Sequence, residues 1–364
     1  HFGSGRFSSG SFRSESARCS LAATLNSPSP KAGGRRYRGP PAEQPGPMDL
    51  CITDEVEEQL ELCGESTAFL RCRAEREERM ATPGKDAVLL SVPSRLALAR
   101  FLMAAISKVW GQATRAACPQ KAWFDSMHMC DVLAARGLNF DDQAASHAIA
   151  VLRILAKAED ASQTMTSERL ATLTDVLWRH GAAVEPASPE DIDAAEKRIL
   201  RCTGWQIWSP SLHSWLAALL SRLRVLGRQH LAGRWAGFGA VLVQLWQQSY
   251  SCGTAVVLHE ASVGLLAPRS LAMGLLGLGC VRAGALPLHS ARPARLGAAE
   301  WEQVYVKAMG PVPAFKADSH AAKIIQIIMF ATDSSMDAVK DACGRVAMVI
   351  PDVPMLGARE AVAI

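Results

Sequence analysis

The 364-residue chain is long enough for two domains or one large one, with ample material for a core. Its 49% hydrophobic and 20% charged content excludes a wholly disordered chain, a collagen and a coiled-coil rod. Aromatic residues make up only 6%, with 3 tyrosines, and Ala and Leu recur throughout, which favours helices over a β-sandwich. The net charge of +4 and pI near 8.6 are too weak to imply nucleic acid.

That charge is unevenly placed. Residues 1–47 hold Arg6, Arg13, Arg18, Lys31, Arg35, Arg36 and Arg38 against Glu15 and Glu43, a net +5, so the chain's +4 leaves −1 for the remainder. The segment is mostly Gly, Ser, Pro and Arg and is expected to be a disordered basic tail. The chain begins with His1, and Met48 is the first methionine and an alternative start, as expected for a fragment or a sequence including translated leader.

Helical patterning begins after Met48. Glu55–Cys63 and Ala68–Met80 predict two helices of an N-terminal extension over 48–90, broken at Thr82-Pro83-Gly84. Ser94–Trp110 aligns Leu98, Leu102, Ile106 and Val109 on one face. Ala122–Ala135 follows and closes at Gly137. Asp142–Ala158 is apolar nearly all round, broken only by Arg153, as expected of a bundle centre. Ser167–His180 closes at Gly181. Ser188-Pro189-Glu190-Asp191 then opens another helix with a capping residue, a first-turn proline and a capping-box aspartate. That helix ends near Gly204, and Trp205–Pro210 forms an extended connector.

In the second half, Leu212–Leu226, Gly237–Ser249, Val256–Leu266, Arg269–Ala283, Trp301–Met309, His320–Thr332 and Ser335–Arg345 are the expected helices, ahead of an apolar tail. Glycines 274, 277, 279 and 284 are expected to let helices approach closely. No convincing strand pattern occurs, so the class is all-α. The longest apolar stretch, near Leu271–Val281, is too short to span a bilayer. Ten cysteines without Cys-x-x-Cys or zinc-site spacing, and no signal peptide, predict a reduced intracellular protein.

Catalytic signatures are missing. No phosphate-binding Gly-x-x-x-x-Gly-Lys loop occurs, and Arg282 stands where Gly277-x-Gly279 needs a third glycine. His259-Glu260 has no second histidine in register, and there is no Gly-x-Ser-x-Gly elbow. A non-enzymatic chain without cofactor or metal is expected.

One stretch carries a resemblance. The run Glu196-Lys-Arg-Ile-Leu-Arg-Cys-Thr-Gly-Trp-Gln-Ile-Trp-Ser-Pro210-Ser211 resembles the end of the cyclin box, where a glutamate, an apolar helix turn, an aromatic and a Pro-Thr or Pro-Ser recur without a gap. Leu155-Ala156-Lys157-Ala158-Glu159-Asp160 is similar to the Ala-Ser-Lys-aromatic-Glu-Glu ending of that family's central helix. Ser94–Leu102 resembles its opening helix, with Arg95 at the family's arginine and Phe101 at its tryptophan, and Asp131 falls at the aspartate that pairs with that arginine. The chain departs from the pattern at Arg100, where aspartate is usual, and at Arg269, inserted in Ala267-Pro268-Arg269-Ser270-Leu271-Ala272 relative to the Pro-Ser-x-x-Ala start of the second box.

The resemblance implies a cyclin-like five-helix box over 91–209, a more divergent cyclin-like bundle over 210–310, and C-terminal helices and tail over 311–364. It implies that Lys157 and Glu196 lie together and bind a cyclin-dependent Ser/Thr protein kinase. Arg95 and Asp131 would form an internal salt bridge, and Leu98 and Phe101 a groove docking kinase substrates or inhibitors. Such a regulator of the cell cycle or transcription would act in the nucleus, the cytoplasm or both. In the tail, Arg18, Leu21 and Asn26 fit the Arg-x-x-Leu-x-x-x-x-Asn destruction box of mitotic cyclins. Two other readings remain open: a helical adaptor or scaffold that binds no kinase, and a cyclin-fold transcription factor. For the latter the sequence offers only the modest cluster Arg222, Arg224, Arg228 and Arg234, which reads more simply as a solvated helix face. No membrane or nucleic-acid partner is expected.

Overall fold

Local capping sequences divide the first half of the chain into helices. The helix after Ser188 shows how. Ser188 Oγ accepts from the Asp191 backbone N–H at 3.1 Å, while Asp191 accepts from the Ser188 backbone N–H at 3.4 Å. Pro189 occupies the first turn, where its missing N–H costs nothing. At the other ends, Gly137 and Gly181 take φ 87° and 86°. Leu138 N–H then bonds Leu133 O at 3.0 Å and Ala182 N–H bonds Leu177 O at 3.0 Å, which satisfies carbonyls the helices leave over.

The computed structural model describes residues 54–80, 90–110, 119–140, 143–158, 165–207, 209–231, 239–246, 253, 257, 267–282 and 320–349. They are all-helical, with no strand among them. The helices are α1 (Asp54–Leu62), α2 (Thr67–Met80), α3 (Val92–Trp110), α4 (Pro119–Ala135), α5 (Ala144–Ala158), α6 (Ser167–Arg179), α7 (Pro189–Cys202) and α8 (Leu212–His230). A run at 239–246 forms α9. Then follow α10 (Pro268–Arg282), α11 (His320–Thr332) and α12 (Met336–Val349). The expected tail, the destruction box and the helix at Trp301–Met309 lie outside the described residues, as does nearly all of Val256–Leu266.

The expectation for α5 holds. Its residues Ala145 to Leu152, with Ile154 and Ala156, are buried, and it packs against α3, α4 and α7. A second set of contacts centres on α8, which packs against α1, α4, α10 and α11. Trp215, Leu216, Leu219, Leu223 and Leu226 on α8 are fully buried. Each such side chain removed from water contributes about 2 kcal/mol, so these two helices carry much of the hydrophobic stabilisation.

The contact between α10 and α12 turns on a glycine, as the sequence suggested. A Cβ built on Gly274 would lie 2.4 Å from Val346 Cγ2 and 2.5 Å from Ala342 O. Backbone cannot yield to such a clash, so Gly274→Ala is expected to cost about 2–3 kcal/mol by overpacking. Gly344→Ala on the facing helix, with nothing within 4 Å of its would-be Cβ, should be stabilising by roughly 0.5–1 kcal/mol through helix propensity. Denaturant midpoints of the two variants, shifted in opposite directions, would check this pair.

Candidate functional site

The residues singled out from sequence fall into two groups around α5. At the α5–α7 crossing, Lys157 Nζ donates to Glu196 Oε1. The two residues lie 39 positions apart in sequence. Lys157 ends α5 and leaves its side chain 42% exposed, whereas the Glu196 side chain is 14% exposed. Glu196 is thus not simply half of an adjacent surface pair with Lys197. Its second oxygen, Oε2, lies 3.2 Å from Arg153 Nη1.

Arg153 is the residue that sequence reading passed over as a break in an apolar face. Its Nη1 reaches Asp193 Oδ1 at 2.6 Å and Ser167 Oγ at 2.8 Å, besides Glu196. Ser167, in the first turn of α6, donates its hydroxyl to the same Asp193 oxygen at 2.5 Å. The Ser167 hydroxyl, followed by the Arg153 guanidinium, holds the Asp193 carboxyl below the usual carboxylate range. One guanidinium therefore ties α5, α6 and α7 together beneath the Lys157–Glu196 pair. A signal for this was available: an arginine on an otherwise buried helix needs acidic partners, and Asp193 and Glu196 stand three apart on one face of α7.

The second group lies at α3 and α4. Arg95 grips Asp131 with two bonds, Nε to Oδ1 at 2.9 Å and Nη2 to Oδ2 at 2.7 Å. Its Nη1 donates to Val257 O. The arginine is buried, so the fork satisfies most of its donors and locks the two helices in register. Leu98 and Phe101, expected to line a docking groove, do not do so: each is 2% exposed and belongs to the core. They lie on the same stripe of α3 as Leu102 and Ala105, which faces inward. Among its described side chains, α3 exposes the large apolar Met103.

The connector after α7 is latched to α4. His128 Nε2 and Ser209 Oγ lie 2.9 Å apart, and Ser211 Oγ donates to Asp125 Oδ1. Lys121 Nζ sits 2.9 Å from Asp125 Oδ2. Burial lowers the His128 and His213 pKa values, the latter to about 4, so both rings stay neutral at pH 7. Ser211 also caps α8 by accepting from the Ser214 N–H.

The arginine cluster weighed for DNA is not one surface. Arg224 and Arg228 are exposed, but Arg222 is 0% exposed and turned into the core. Among the described residues, no three His, Cys, Asp or Glu side chains gather where a metal could be held. No described helix is long and apolar enough to cross a membrane. The described cysteines, Cys63, Cys72, Cys130, Cys202, Cys280 and Cys343, are free thiols. No protein-family model matches the chain, and no curated protein is significantly similar to it.

Proposed function

We propose that this chain is a cyclin-like regulatory subunit that binds and activates a cyclin-dependent Ser/Thr protein kinase. The observation that carries the reading is the Lys157–Glu196 pair. The sequence resemblance requires these two residues to meet, and they do so across 39 positions, at the rim of the α5–α7 crossing. Lys157 retains donors beyond the one given to Glu196, so the pair can offer hydrogen bonds in both senses to a partner's backbone. A kinase works only when its Lys–Glu ion pair is assembled, which depends on the placement of one mobile helix. A rigid surface that binds the assembled form alone shifts the population toward activity. The Arg95–Asp131 fork adds support, since it ties the opening helix of such a box to the second.

The test is Lys157→Glu in the full chain, with co-purified kinases identified by mass spectrometry. The wild type is expected to retain a cyclin-dependent kinase and to stimulate its phosphorylation of a Ser-Pro peptide. The variant should lose both. Its thermal midpoint should fall by no more than roughly 4 °C, because losing a partly exposed ion pair and setting a second carboxylate beside Glu196 cost at most about 1 kcal/mol each. Retained kinase binding would remove Lys157 from the interface, and a wild type that holds no kinase would favour the adaptor reading.

A further inference from the structure

We propose that Arg153 is the positioning residue of this surface: it holds Glu196 and Asp193 side by side on α7, and Asp193 is a third group facing the kinase. The proposal rests on the kinase-binding reading for its partner, and on the geometry of the α5–α7 crossing for the rest.

Asp193 and Glu196 are three residues apart on one helix, where like charges repel. Two cations offset them. Lys157 takes Glu196 Oε1 from the solvent side, and Arg153 Nη1 takes Glu196 Oε2 at 3.2 Å and Asp193 Oδ1 at 2.6 Å from beneath. Both carboxylates are thereby fixed from below and keep lone pairs for a ligand. Asp193 is the more available, since its side chain is 51% exposed while that of Glu196 is 14% exposed. The arginine is not placed to satisfy itself. Its Nε is buried without a hydrogen-bond partner, a cost that a purely structural guanidinium would avoid by turning its fork onto one carboxylate. What this orientation secures is a single nitrogen shared by two carboxylates and the Ser167 hydroxyl.

Because Nη1 makes these contacts as a point donor, a lysine ammonium can replace it, unlike at a bidentate site. Arg153→Lys and Arg153→Met therefore separate the charge from the shape. Association of each full-length variant with the purified kinase retained by the wild type would be measured, alone and combined with Glu196→Gln. Arg153→Met is expected to weaken association roughly tenfold or more, and Arg153→Lys to stay within about threefold of wild type. In the Glu196→Gln background, Arg153→Met should add less than about half of its single-variant free energy, the non-additivity expected of residues acting through one another. Asp193→Asn should weaken association as well, with the thermal midpoint falling by no more than about 4 °C.

A second readout needs no partner. In the free chain, acylation of Lys157 by an N-hydroxysuccinimide ester is followed by mass spectrometry. Glu196 held by Arg153 shields the Lys157 amine, so acylation should rise several-fold in Arg153→Met and not in Arg153→Lys. If the wild type binds no kinase but acylation behaves this way, the kinase reading fails and the positioning role stands. Unchanged acylation, or a fully additive loss of association that tracks the thermal midpoint, would overturn the proposal.

Discussion

Arg222→Met is expected to cost the protein about 4 kcal/mol and to loosen α1 and α2 from α8. Arg222 is fully buried on α8, yet it donates in three directions. Its Nε reaches Ala331 O at 2.9 Å, Nη1 reaches Glu65 O, and Nη2 reaches Thr67 Oγ and Phe330 O, each at 3.1 Å. The turn between α1 and α2 is thus held to the end of α11 through one side chain. Methionine fills most of the volume but leaves the Glu65 and Ala331 carbonyls without the donor they have here, while Phe330 O keeps the Asp333 N–H at 3.3 Å. Each unmet buried acceptor costs roughly 1–3 kcal/mol, so the two orphaned carbonyls together account for about 2–6 kcal/mol. Against a total stability of about 5–15 kcal/mol this is a large fraction. The denaturant midpoint should fall with its slope unchanged, and amide exchange should accelerate most in 54–80. Arg222→Lys should recover little, because one ammonium cannot span acceptors that lie on opposite sides. A loss below about 1 kcal/mol would show that the α1–α2 turn is held mainly by apolar contacts such as Val56 and Leu60.

The same residue marks the boundary of what the sequence discloses. Helix starts and stops were legible because they are written locally: Ser188-Pro189-Glu190-Asp191 opens α7, and Gly137 and Gly181 close α4 and α6 with their left-handed φ. The buried centre at α5 was legible because almost every position there is apolar. Charges inside helices were not. Arg222 and Arg224 look alike in sequence and stand two apart, but one faces the core and the other solvent, and only the helices packed around α8 decide which. Arg153 likewise found its acids on α7, beyond any local pattern. Arg269, which the sequence resemblance reads as an insertion, has a physical role here. Its Nη2 donates to Thr332 O at 3.0 Å and Asp333 O at 3.2 Å, closing the α11–α12 turn, where Asp333 itself sits at φ 47°. Of the candidate site, what motif order made legible is that Lys157 meets Glu196 and Arg95 meets Asp131. The groove failed because Leu98 and Phe101 form part of the stripe by which α3 joins the core.

Arg269 also leads to the group whose charge works against the fold near neutral pH. Its backbone N–H donates to Glu77 Oε1 at 3.1 Å, but Glu77 is buried on α2 and its Oε2 has no partner. Burial raises the Glu77 pKa from 4.5 to about 7, in spite of the Arg269 N–H, the nearby Trp215 ring N–H, which falls short of a hydrogen bond, and the Arg269 charge; Glu78 adds a little repulsion. The native state therefore binds a proton that the unfolded chain has already lost. Stability from this group is fully present below pH 4.5 and is lost as pH rises to about 7, a total of about 3 kcal/mol. The histidines act in the opposite sense. His147 and His213 are lowered to about 4 by burial, so their contribution is present above pH 6.5 and is lost as pH falls. Glu77 and the two histidines thus oppose each other below pH 6.5, and above it the Glu77 loss continues after those histidines have finished titrating.

Glu77→Gln should remove the Glu77 side of this balance while keeping an acceptor for the Arg269 N–H. At pH 8 the variant is expected to be more stable than the wild type by about 1–2 kcal/mol, the rest of the gain being offset by an amide N–H₂ without an acceptor. In melting temperature this is roughly 2–6 °C. At pH 5, where the native carboxyl is already neutral, the amide cost remains and the variant should be the less stable by about 1 kcal/mol. A melting series from pH 5 to 8 on both proteins reads the outcome directly. An offset that is the same at every pH would mean that Glu77 titrates normally in the fold. A variant less stable at pH 8 would mean that the carboxylate is a net stabiliser there, held charged by Arg269 against its burial.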